Sequence, residues 1–427
     1  MKEGNTRIGF VSTRFAGTDG VSLETVKWEK LLTELGHRCF FFAGELDRPK
    51  DRSRLVPKAH FKHPDVERVQ ADLFDDFVRS RETSRQIHEL KEHLKDELYR
   101  YVDSFGLDIL IAENALSIPM NVPLGLAMTE LIAETEMPTI AHHHDFGWER
   151  RRFKVTAASD YQLGAFPPIL YSIFHVVINS YGARQLALRT GASSMLIPNV
   201  MDFQEPPAEP DDYAADLRPT LGIQDGEYLL LQPTRVVPRK RIEQAVELTS
   251  RLNRKGLTCA LVVSHSSGDE GTDYETYLRG LAELLDVRIL FAAESFAHDR
   301  GRGPDGQKVY SLADAYQVAD LVTYPSSVEG FGNAFLETIY YKRPIVMGTY
   351  EIFLRDIAPK GFEIIPIKEF ITQETVDRAA AILRDPQQAA EMCEQNYELG
   401  RTYYSFETLR NHLVVMLNQA AAVPSAS

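Results

Sequence analysis

Two glutamates enclose a glycine-containing turn in the last third of the chain. Glu329 and Glu337 are separated by seven residues that include Gly330, Phe331, Gly332, Asn333 and Ala334. The apolar run before them, 319–325, predicts a buried parallel strand, and the segment 334–341 predicts a helix. A strand, a turn with glycines and a helix N-terminus together present backbone N–H groups to an anion. The turn is therefore predicted to bind a negatively charged ligand.

Two cations follow another predicted strand in the same half of the chain. Residues 228–232 form an apolar run, and Arg235 and Lys240 come after it on either side of Pro238. A basic start to the next helix is one interpretation, but cations at a helix N-terminus oppose its dipole and need another reason to be there. Two fixed positive charges beside a helix N-terminus suit a diphosphate.

The densest polar cluster follows a predicted strand at 138–142. It contains His142, His143, His144, Asp145, Arg150, Arg151 and Arg152. Consecutive side chains on an extended backbone point in different directions, so we do not expect the three histidines to bind one metal ion. One of them is predicted to form a hydrogen bond with a substrate. The arginines are either a solvated helix face or a site for an anionic group.

A glycine pair, Gly17 and Gly20, lies between the first predicted strand and the first predicted helix. Backbone at such a position can approach a phosphate or a sugar closely, although glycines there are also ordinary turn residues. The G-x-G-x-x-G spacing is missing, which argues against a nicotinamide-dependent dehydrogenase.

The composition is that of a globular protein with more than one domain. The chain has 427 residues, a net charge of −14, 44% hydrophobic residues and three scattered cysteines. This length exceeds what one hydrophobic core usually serves. The charge argues against nucleic-acid binding, and the cysteines fit neither a disulfide framework nor a metal site. Without a membrane-spanning apolar run or a signal peptide, we expect a cytoplasmic protein; its oligomeric state stays open.

Apolar strands alternate with amphipathic helices along the whole chain, which predicts an α/β fold with parallel sheets. A proline-rich stretch near residues 206–210 interrupts this alternation, which restarts at residue 228. We therefore predict two doubly wound domains, 1–203 and 204–400, and a final helix within 401–427. Ligands in such domains bind beyond the carboxyl ends of the strands.

Together these features resemble the retaining glycosyltransferases of the GT-B fold, specifically glycosyltransferase family 4. The resemblance covers nearly the whole chain and depends mainly on the Arg235/Lys240 pair and the Glu329–Glu337 spacing. It implies two Rossmann-like domains that face a cleft, the first for the acceptor and the second for the nucleotide-sugar donor. It also implies that the C-terminal helix crosses back to the first domain.

The resemblance implies roles for individual residues. Arg235 and Lys240 would hold the donor diphosphate, Glu337 the nucleotide ribose, and Glu329 would lie near the donor sugar. Further donor contacts would come from Gly17, Gly20, Gly330, Phe331, Gly332, Asn333 and Ala334. The family histidine that faces the sugar would be one of His142, His143 or His144, with His142 or His143 favoured. The acceptor would contact His144, Asp145, Arg150, Arg151 and Arg152.

The implied activity is the retaining transfer of a hexose from a UDP- or GDP-sugar to a hydroxyl of a small soluble acceptor. The basic run predicts that this acceptor is anionic, and residues 145–153 are similar to a subset of the family that makes glucosylglycerate-type solutes. No cofactor or metal is implied, because the cations replace the metal and no Asp-x-Asp site is evident. Alternatives are a phosphorylase or an epimerase on the same scaffold, or a non-catalytic sugar-nucleotide-binding protein.

Overall fold

Two parallel β-sheets organise the chain in the computed structural model. The structure describes residues 5–17, 19–268 and 271–421. One unit comprises Met1–Val200 and Phe406–Ser427, and the other comprises Met201–Ser405. Each unit has its own parallel sheet with helices between the strands, so the prediction of two Rossmann-like α/β domains is confirmed.

The first unit has a seven-stranded sheet. Its strands are β1 (Arg7–Val11), β2 (Arg38–Ala43), β3 (Ser53–Leu55), β4 (Ile109–Glu113), β5 (Thr139–His143), β6 (Ile173–Val177) and β7 (Ser194–Leu196). Their order in the sheet is β3-β2-β1-β4-β5-β6-β7. Its helices are α1 (Gly20–Glu34), α2 (Pro64–Leu73), α3 (Arg81–Phe105), α4 (Val122–Thr135), α5 (Ser159–Ala165) and α6 (Ser180–Thr190). All five residues of β4 and of β5 are buried, as expected for central strands covered on both faces.

The second unit repeats this plan around six strands and adds a small sheet. Its strands are β8 (Tyr228–Gln232), β9 (Cys259–Val263), β10 (Arg288–Phe291), β11 (Phe296–Ala297), β12 (Gly301–Arg302), β13 (Lys308–Ser311), β14 (Leu321–Tyr324), β15 (Ile345–Gly348) and β16 (Ile365–Ile367). The main sheet has the order β10-β9-β8-β14-β15-β16, and β11, β13 and β12 form the small one. Its helices are α7 (Leu217–Thr220), α8 (Ile242–Arg254), α9 (Asp273–Leu284), α10 (Leu312–Val318), α11 (Asn333–Tyr340), α12 (Gln373–Arg384) and α13 (Pro386–Tyr403).

The last helix, α14 (Phe406–Ala421), belongs to the first unit, where it packs against α1. Its apolar residues Leu409, Leu413 and Met416 are buried in one cluster with Trp28 and Leu32 of α1. Among the described helices, none combines the length and the apolar character that crossing a bilayer requires.

The predicted strands and helices are present, most with ends shifted by one to three residues. The strand predicted at 228–232 coincides with β8, and the strand predicted at 319–325 contains β14. The three-residue strands β3, β7 and β16 were not predicted, because three residues are too few to show a periodic pattern. In both units the candidate functional residues follow the carboxyl ends of central strands, where ligands bind in doubly wound sheets.

Candidate active site

The glycine turn of the second unit connects β14 to α11. Gly332 immediately precedes α11 with φ of +113°, a left-handed conformation that side chains rarely adopt. A Cβ atom there would lie 2.2 Å from Oη of Tyr350, which donates a hydrogen bond of 2.7 Å to the carbonyl of Phe331. The ring of Phe331 is buried edge-on against Tyr404, so it supports the turn from inside. Backbone at a turn that leads into a helix N-terminus is the kind of structure that binds anions, so the anion site predicted here stays a prediction.

Lys240 and Glu329 form an ion pair beside this turn. Lys240 ends the short helical turn Pro238–Lys240 and is buried, and its Nζ contacts Oε1 of Glu329. Nη1 of Arg239 lies 3.3 Å from the other carboxylate oxygen. Burial opposes ionisation of Glu329, but the charges of Lys240 and Arg239 outweigh it and hold the pKa of Glu329 below its ordinary value. The structure therefore brings together the predicted site residues Lys240 and Glu329, and each is the counter-ion of the other.

Arg235, Arg239 and Lys240 form a cationic group, and the imidazole of His265 lies beside it. Burial lowers the pKa of Lys240; the Glu329 carboxylate opposes this shift, and the positive charges of Arg239 and Arg235 add to it. His265 follows β9, and burial followed by the charges of Lys240 and Arg235 lowers its pKa. Arg239 and His265 were not predicted as site residues. Arg239 adjoins the predicted lysine, which was a usable signal, whereas only the pairing of β8 with β9 brings His265 to this place.

Glu337 has a different partner from Glu329. It lies one turn into α11, where its Oε2 accepts a hydrogen bond of 2.8 Å from Oη of Tyr316. Tyr316 is buried in α10 and stacks on Tyr341 with ring centroids 5.1 Å apart. The two glutamates are therefore positioned independently, which argues against a shared acid–base pair.

In the first unit, the carboxylate of Glu113 contacts two of the three histidines. Glu113 ends β4 and is the register partner of His142 on β5. Its carboxylate lies 3.0 Å from Nδ1 of His142 and 3.2 Å from Nε2 of His144. Burial disfavours a charged Glu113, but the two imidazoles outweigh burial and lower its pKa to about 2. Glu113 was not predicted as a site residue, although residues i and i+2 of a strand share a face and this spacing could have indicated the pair of histidines.

The three histidines differ in exposure. His142 is 1% exposed and stacks on Trp28 with ring centroids 4.3 Å apart. His143 is also 1% exposed and contacts Oγ of Ser117 and, at 2.9 Å, Nδ1 of His175. The side chain of His144 retains 10% exposure. The histidine predicted to face a sugar is one of these three, with His142 or His143 favoured. Both of those rings are packed inside the unit, and His144 is the one that reaches its surface.

Glu113, His142 and His144 are also the group that could hold a metal ion. Among the described residues, they alone offer three ligand atoms of suitable type, all within 4.8 Å of one another. The neighbours His142 and His143 contact different partners, as expected for consecutive residues, whereas His142 and His144 both contact Glu113. The expectation of no metal therefore stays a prediction that requires its own test.

The polar residues after β5 form a second group near His144. Oδ1 of Asn114 accepts a hydrogen bond of 2.8 Å from the backbone N–H of His144, and its Nδ2 donates to Asp145. Arg150 donates to the other oxygen of Asp145. Within the described part of the chain, neither Arg151 nor Arg152 forms an ion pair. Burial and the nearby charge of Arg150 lower the pKa of Arg152.

The predicted glycine loop of the first unit has contacts of its own. Gly17 has φ of +78°, and its N–H donates to Oδ2 of Asp47. Gly20 begins α1, where the Asp19 carboxylate accepts from the N–H groups of the next two residues. Thr18 lies outside the described residues. The capping carboxylate occupies N–H groups that a phosphate would use, so donor binding at Gly17 and Gly20 stays a prediction.

Comparison with curated proteins finds two relatives that match nearly from end to end. The chain is 32% identical to the mannosylglucosylglycerate synthase of Thermotoga maritima over 95% of this chain and 98% of that protein. It is 31% identical to the mannosylglucosylglycerate synthase of Petrotoga mobilis over 94% of this chain and 99% of that protein. No protein-family model matches the chain.

Solved glycosyltransferase structures share the fold. A glycosyltransferase from Rickettsia africae superposes with a TM-score of 0.68 at 11% identity, covering 98% of this chain and 100% of that one. The sucrose-phosphate synthase of Thermosynechococcus elongatus gives 0.67 at 15% identity with the same coverage. Anabaena HepE, solved with UDP and glucose, gives 0.63 at 12% identity over 97% of this chain and 100% of that one. These likenesses support the predicted GT-B type of fold.

Proposed function

Because the chain belongs to the mannosylglucosylglycerate synthase family of GT-B glycosyltransferases, we propose that it transfers a hexosyl group from a nucleoside diphosphate sugar to a small anionic acceptor with retention of anomeric configuration. Glycosyl transfer is the activity of the family. To this activity we add the donor class, the stereochemistry and the charge of the acceptor. The arrangement of Arg235, Arg239 and Lys240 beside the glycine turn is the observation that carries the donor class.

The cationic group suits a diphosphate leaving group. When the bond between the sugar and the diphosphate breaks, negative charge develops on the phosphate oxygens. Arg235 and Lys240 precede α8, and the N-terminus of α11 begins at the glycine turn, so side-chain charge and helix dipole both favour an anion there. Lys240 would then exchange part of its contact with Glu329 for a phosphate oxygen. Electrostatic stabilisation of this kind is commonly the largest single contribution to catalysis.

The proposed route needs no enzymatic nucleophile. Glu329 is engaged by Lys240 and Arg239, and Glu337 is held by Tyr316, so neither carboxylate is positioned to attack a sugar carbon. In a front-face transfer, the acceptor oxygen forms its bond to the sugar on the side from which the diphosphate leaves. The acceptor proton passes to the departing phosphate oxygen, which balances the reaction without a further base.

The basic residues after β5 fit an acceptor with a carboxylate. Arg151 and Arg152 belong to the short helical turn Arg151–Phe153, and neither is neutralised by an acidic side chain among the described residues. The relatives are named for a product that contains a glycerate carboxylate, so a glycerate glycoside is the first acceptor to test. A guanidinium group binds a carboxylate through two parallel hydrogen bonds.

A donor and acceptor screen tests the proposal. Purified protein is incubated with UDP- or GDP-hexoses and with either glucosylglycerate or glycerol glucoside, its uncharged counterpart. We expect release of the nucleoside diphosphate and a new glycoside only when an accepted donor and the anionic acceptor are both present. Phosphate-dependent release of a sugar phosphate would indicate a phosphorylase, and epimerisation of the donor would indicate an epimerase. Donor binding without turnover would indicate a binding protein.

A further inference from the structure

Glu113 is the centre of a hydrogen-bonded chain that starts in the core of the first unit. Trp28 of α1 is fully buried and stacks on the ring of His142 at an interplanar angle of 24°. Nδ1 of His142 lies 3.0 and 3.2 Å from the two oxygens of Glu113. Nδ1 of the stacked His142 ring thus contacts both carboxylate oxygens. The packing of His142 against Trp28 therefore fixes the plane of the carboxylate. The carboxylate is fully buried, so water does not compete for it.

The same carboxylate also contacts His144, which lies nearer the surface of the unit. Oε2 of Glu113, the oxygen nearest to His142, is also 3.2 Å from Nε2 of His144. The backbone of His144 is fixed separately, because its N–H donates to Oδ1 of Asn114. Asn114 has φ of +56°, and its own N–H donates to the carbonyl of His142. Glu113 and Asn114, consecutive at the end of β4, therefore hold the ring and the backbone of His144 respectively.

We propose that Glu113 is a positioning residue that directs His144 toward a substrate by accepting the proton of its Nε2. With Nε2 engaged by the carboxylate, Nδ1 is the ring atom of His144 that remains for a substrate oxygen. This assignment rests on the proposed function, since it supposes that His144 contacts a substrate hydroxyl. It also gives His142, one of the two histidines favoured to face the sugar, the role of anchoring Glu113 instead.

The electrostatics agree with this arrangement. Burial opposes a charged His144, but the hydrogen bond and the negative charge of Glu113 outweigh it and raise the pKa of His144. Burial outweighs the same carboxylate at His142 and lowers the pKa of that ring. Glu24 is a second buried carboxylate that acts on both rings, but it is paired with Nζ of Lys27 at 2.9 Å. Of the two rings, His144 is therefore the one whose charged form Glu113 favours more than burial disfavours it.

Substitution by glutamine tests the role of Glu113. In Glu113→Gln the side chain keeps its shape, but one carboxylate oxygen becomes an NH2 group. Because Nδ1 of His142 contacts both carboxylate oxygens, this NH2 group lies against Nδ1 in either orientation of the amide. We expect kcat for sugar transfer to fall about tenfold or more, because small displacements of a catalytic contact have large effects on rate. The donor KM should be nearly unchanged. Ser117→Ala removes the Oγ partner of the buried His143 and is the matched control, with unchanged kcat and KM.

A nitrogen-15 NMR measurement of the histidine rings tests the geometry without any turnover. The His144 signals are assigned from their loss in His144→Gln. We expect a hydrogen-bonded proton on Nε2 of His144 in the wild-type protein and its loss or shift in Glu113→Gln but not in Ser117→Ala. An unprotonated Nε2 in the wild type would overturn the proposal, even if the glutamine variant failed to fold. A folded Glu113→Gln protein with wild-type kcat would overturn it as well.

Metal binding is the remaining outcome. Zn²⁺ retained stoichiometrically after dialysis, and lost in Glu113→Gln and His144→Gln, would show that the three side chains are metal ligands and would overturn the positioning role. If the wild-type protein transfers no sugar from any donor, the proposed function fails, whereas the NMR result still decides how Glu113 holds His144.

Discussion

Lys240 and Glu329 form a buried ion pair at the strand ends of the second unit, and Arg239 contacts the same carboxylate. In Glu329→Gln this carboxylate is lost and Lys240 stays buried without its counter-ion, which costs about 3–5 kcal/mol. We expect a lower unfolding midpoint in urea and a larger rise in melting temperature with added UDP or GDP, because a diphosphate supplies the missing negative charge.

The control for this experiment is Glu351→Gln. Glu351 forms an exposed i,i+4 pair with Arg355 at 2.9 Å, and such pairs contribute about 0.5 kcal/mol. A Glu329→Gln protein that is as stable as the wild type and gains no more from a nucleotide would contradict the role of the pair.

Gly332 is predicted to tolerate no side chain. In Gly332→Ala the new Cβ would collide with Oη of Tyr350. The alanine would also have to adopt a left-handed backbone conformation, which costs about 1–2 kcal/mol by itself. We expect a loss of stability and weaker nucleotide binding in titration calorimetry. Gly256 has φ of +82° with open space around a Cβ, so Gly256→Ala is the control for backbone strain alone. Equal effects of the two substitutions on nucleotide binding would argue against the turn as a ligand site.

Arg151 and Arg152 are predicted to bind the charged group of the acceptor. Loss of one charge-assisted hydrogen bond costs about 1.5 kcal/mol, so the KM for an anionic acceptor should rise about tenfold in Arg151→Gln or Arg152→Gln. The KM for the donor should not change. Arg68→Gln, which removes another exposed arginine of the first unit, is the control. If an uncharged acceptor is used equally well and both arginines are replaceable without loss, the acceptor is not recognised by its charge.

The buried pair His143 and His175 predicts a loss of stability in mild acid. Burial lowers the pKa of His175 to about 4 and the pKa of His143 well below its ordinary value. The unfolded chain binds protons at these rings below about pH 6.5, while the folded chain does not. The stability that they contribute is therefore present above pH 6.5 and is lost as the pH falls toward 4.

At pH 5 we expect the free energy of unfolding to be lower than at pH 7.5 by about 2 kcal/mol for His175 alone. Urea unfolding at the two pH values measures this difference, which should shrink in His175→Gln. His88, with a side chain 66% exposed on α3, provides the control His88→Gln. A difference that is the same in all three proteins would show that other groups cause it.

The sequence allowed prediction of those features that depend on neighbouring residues. The apolar runs of β8 and β9 and the turn around Gly332 are local patterns, so their positions could be read from residue order. The convergence of His142 and His144 on Glu113 was missed because it requires the register of β4 against β5. His265 was missed because its position depends on the pairing of β8 with β9. The burial of His142 under Trp28 depends on how α1 packs, which residue order alone does not specify.

In the proposed reaction, Arg235 stabilises the diphosphate that is released when the hexosyl group is transferred with retention. Proton NMR of the reaction with an accepted nucleotide-sugar and glucosylglycerate follows both the rate and the anomeric configuration of the product. We predict a product with the configuration of the donor, formed about a hundredfold more slowly by Arg235→Ala and at the wild-type rate by Arg254→Ala, another exposed arginine of the second unit. An inverted product, or a near-normal rate in Arg235→Ala, would contradict the account.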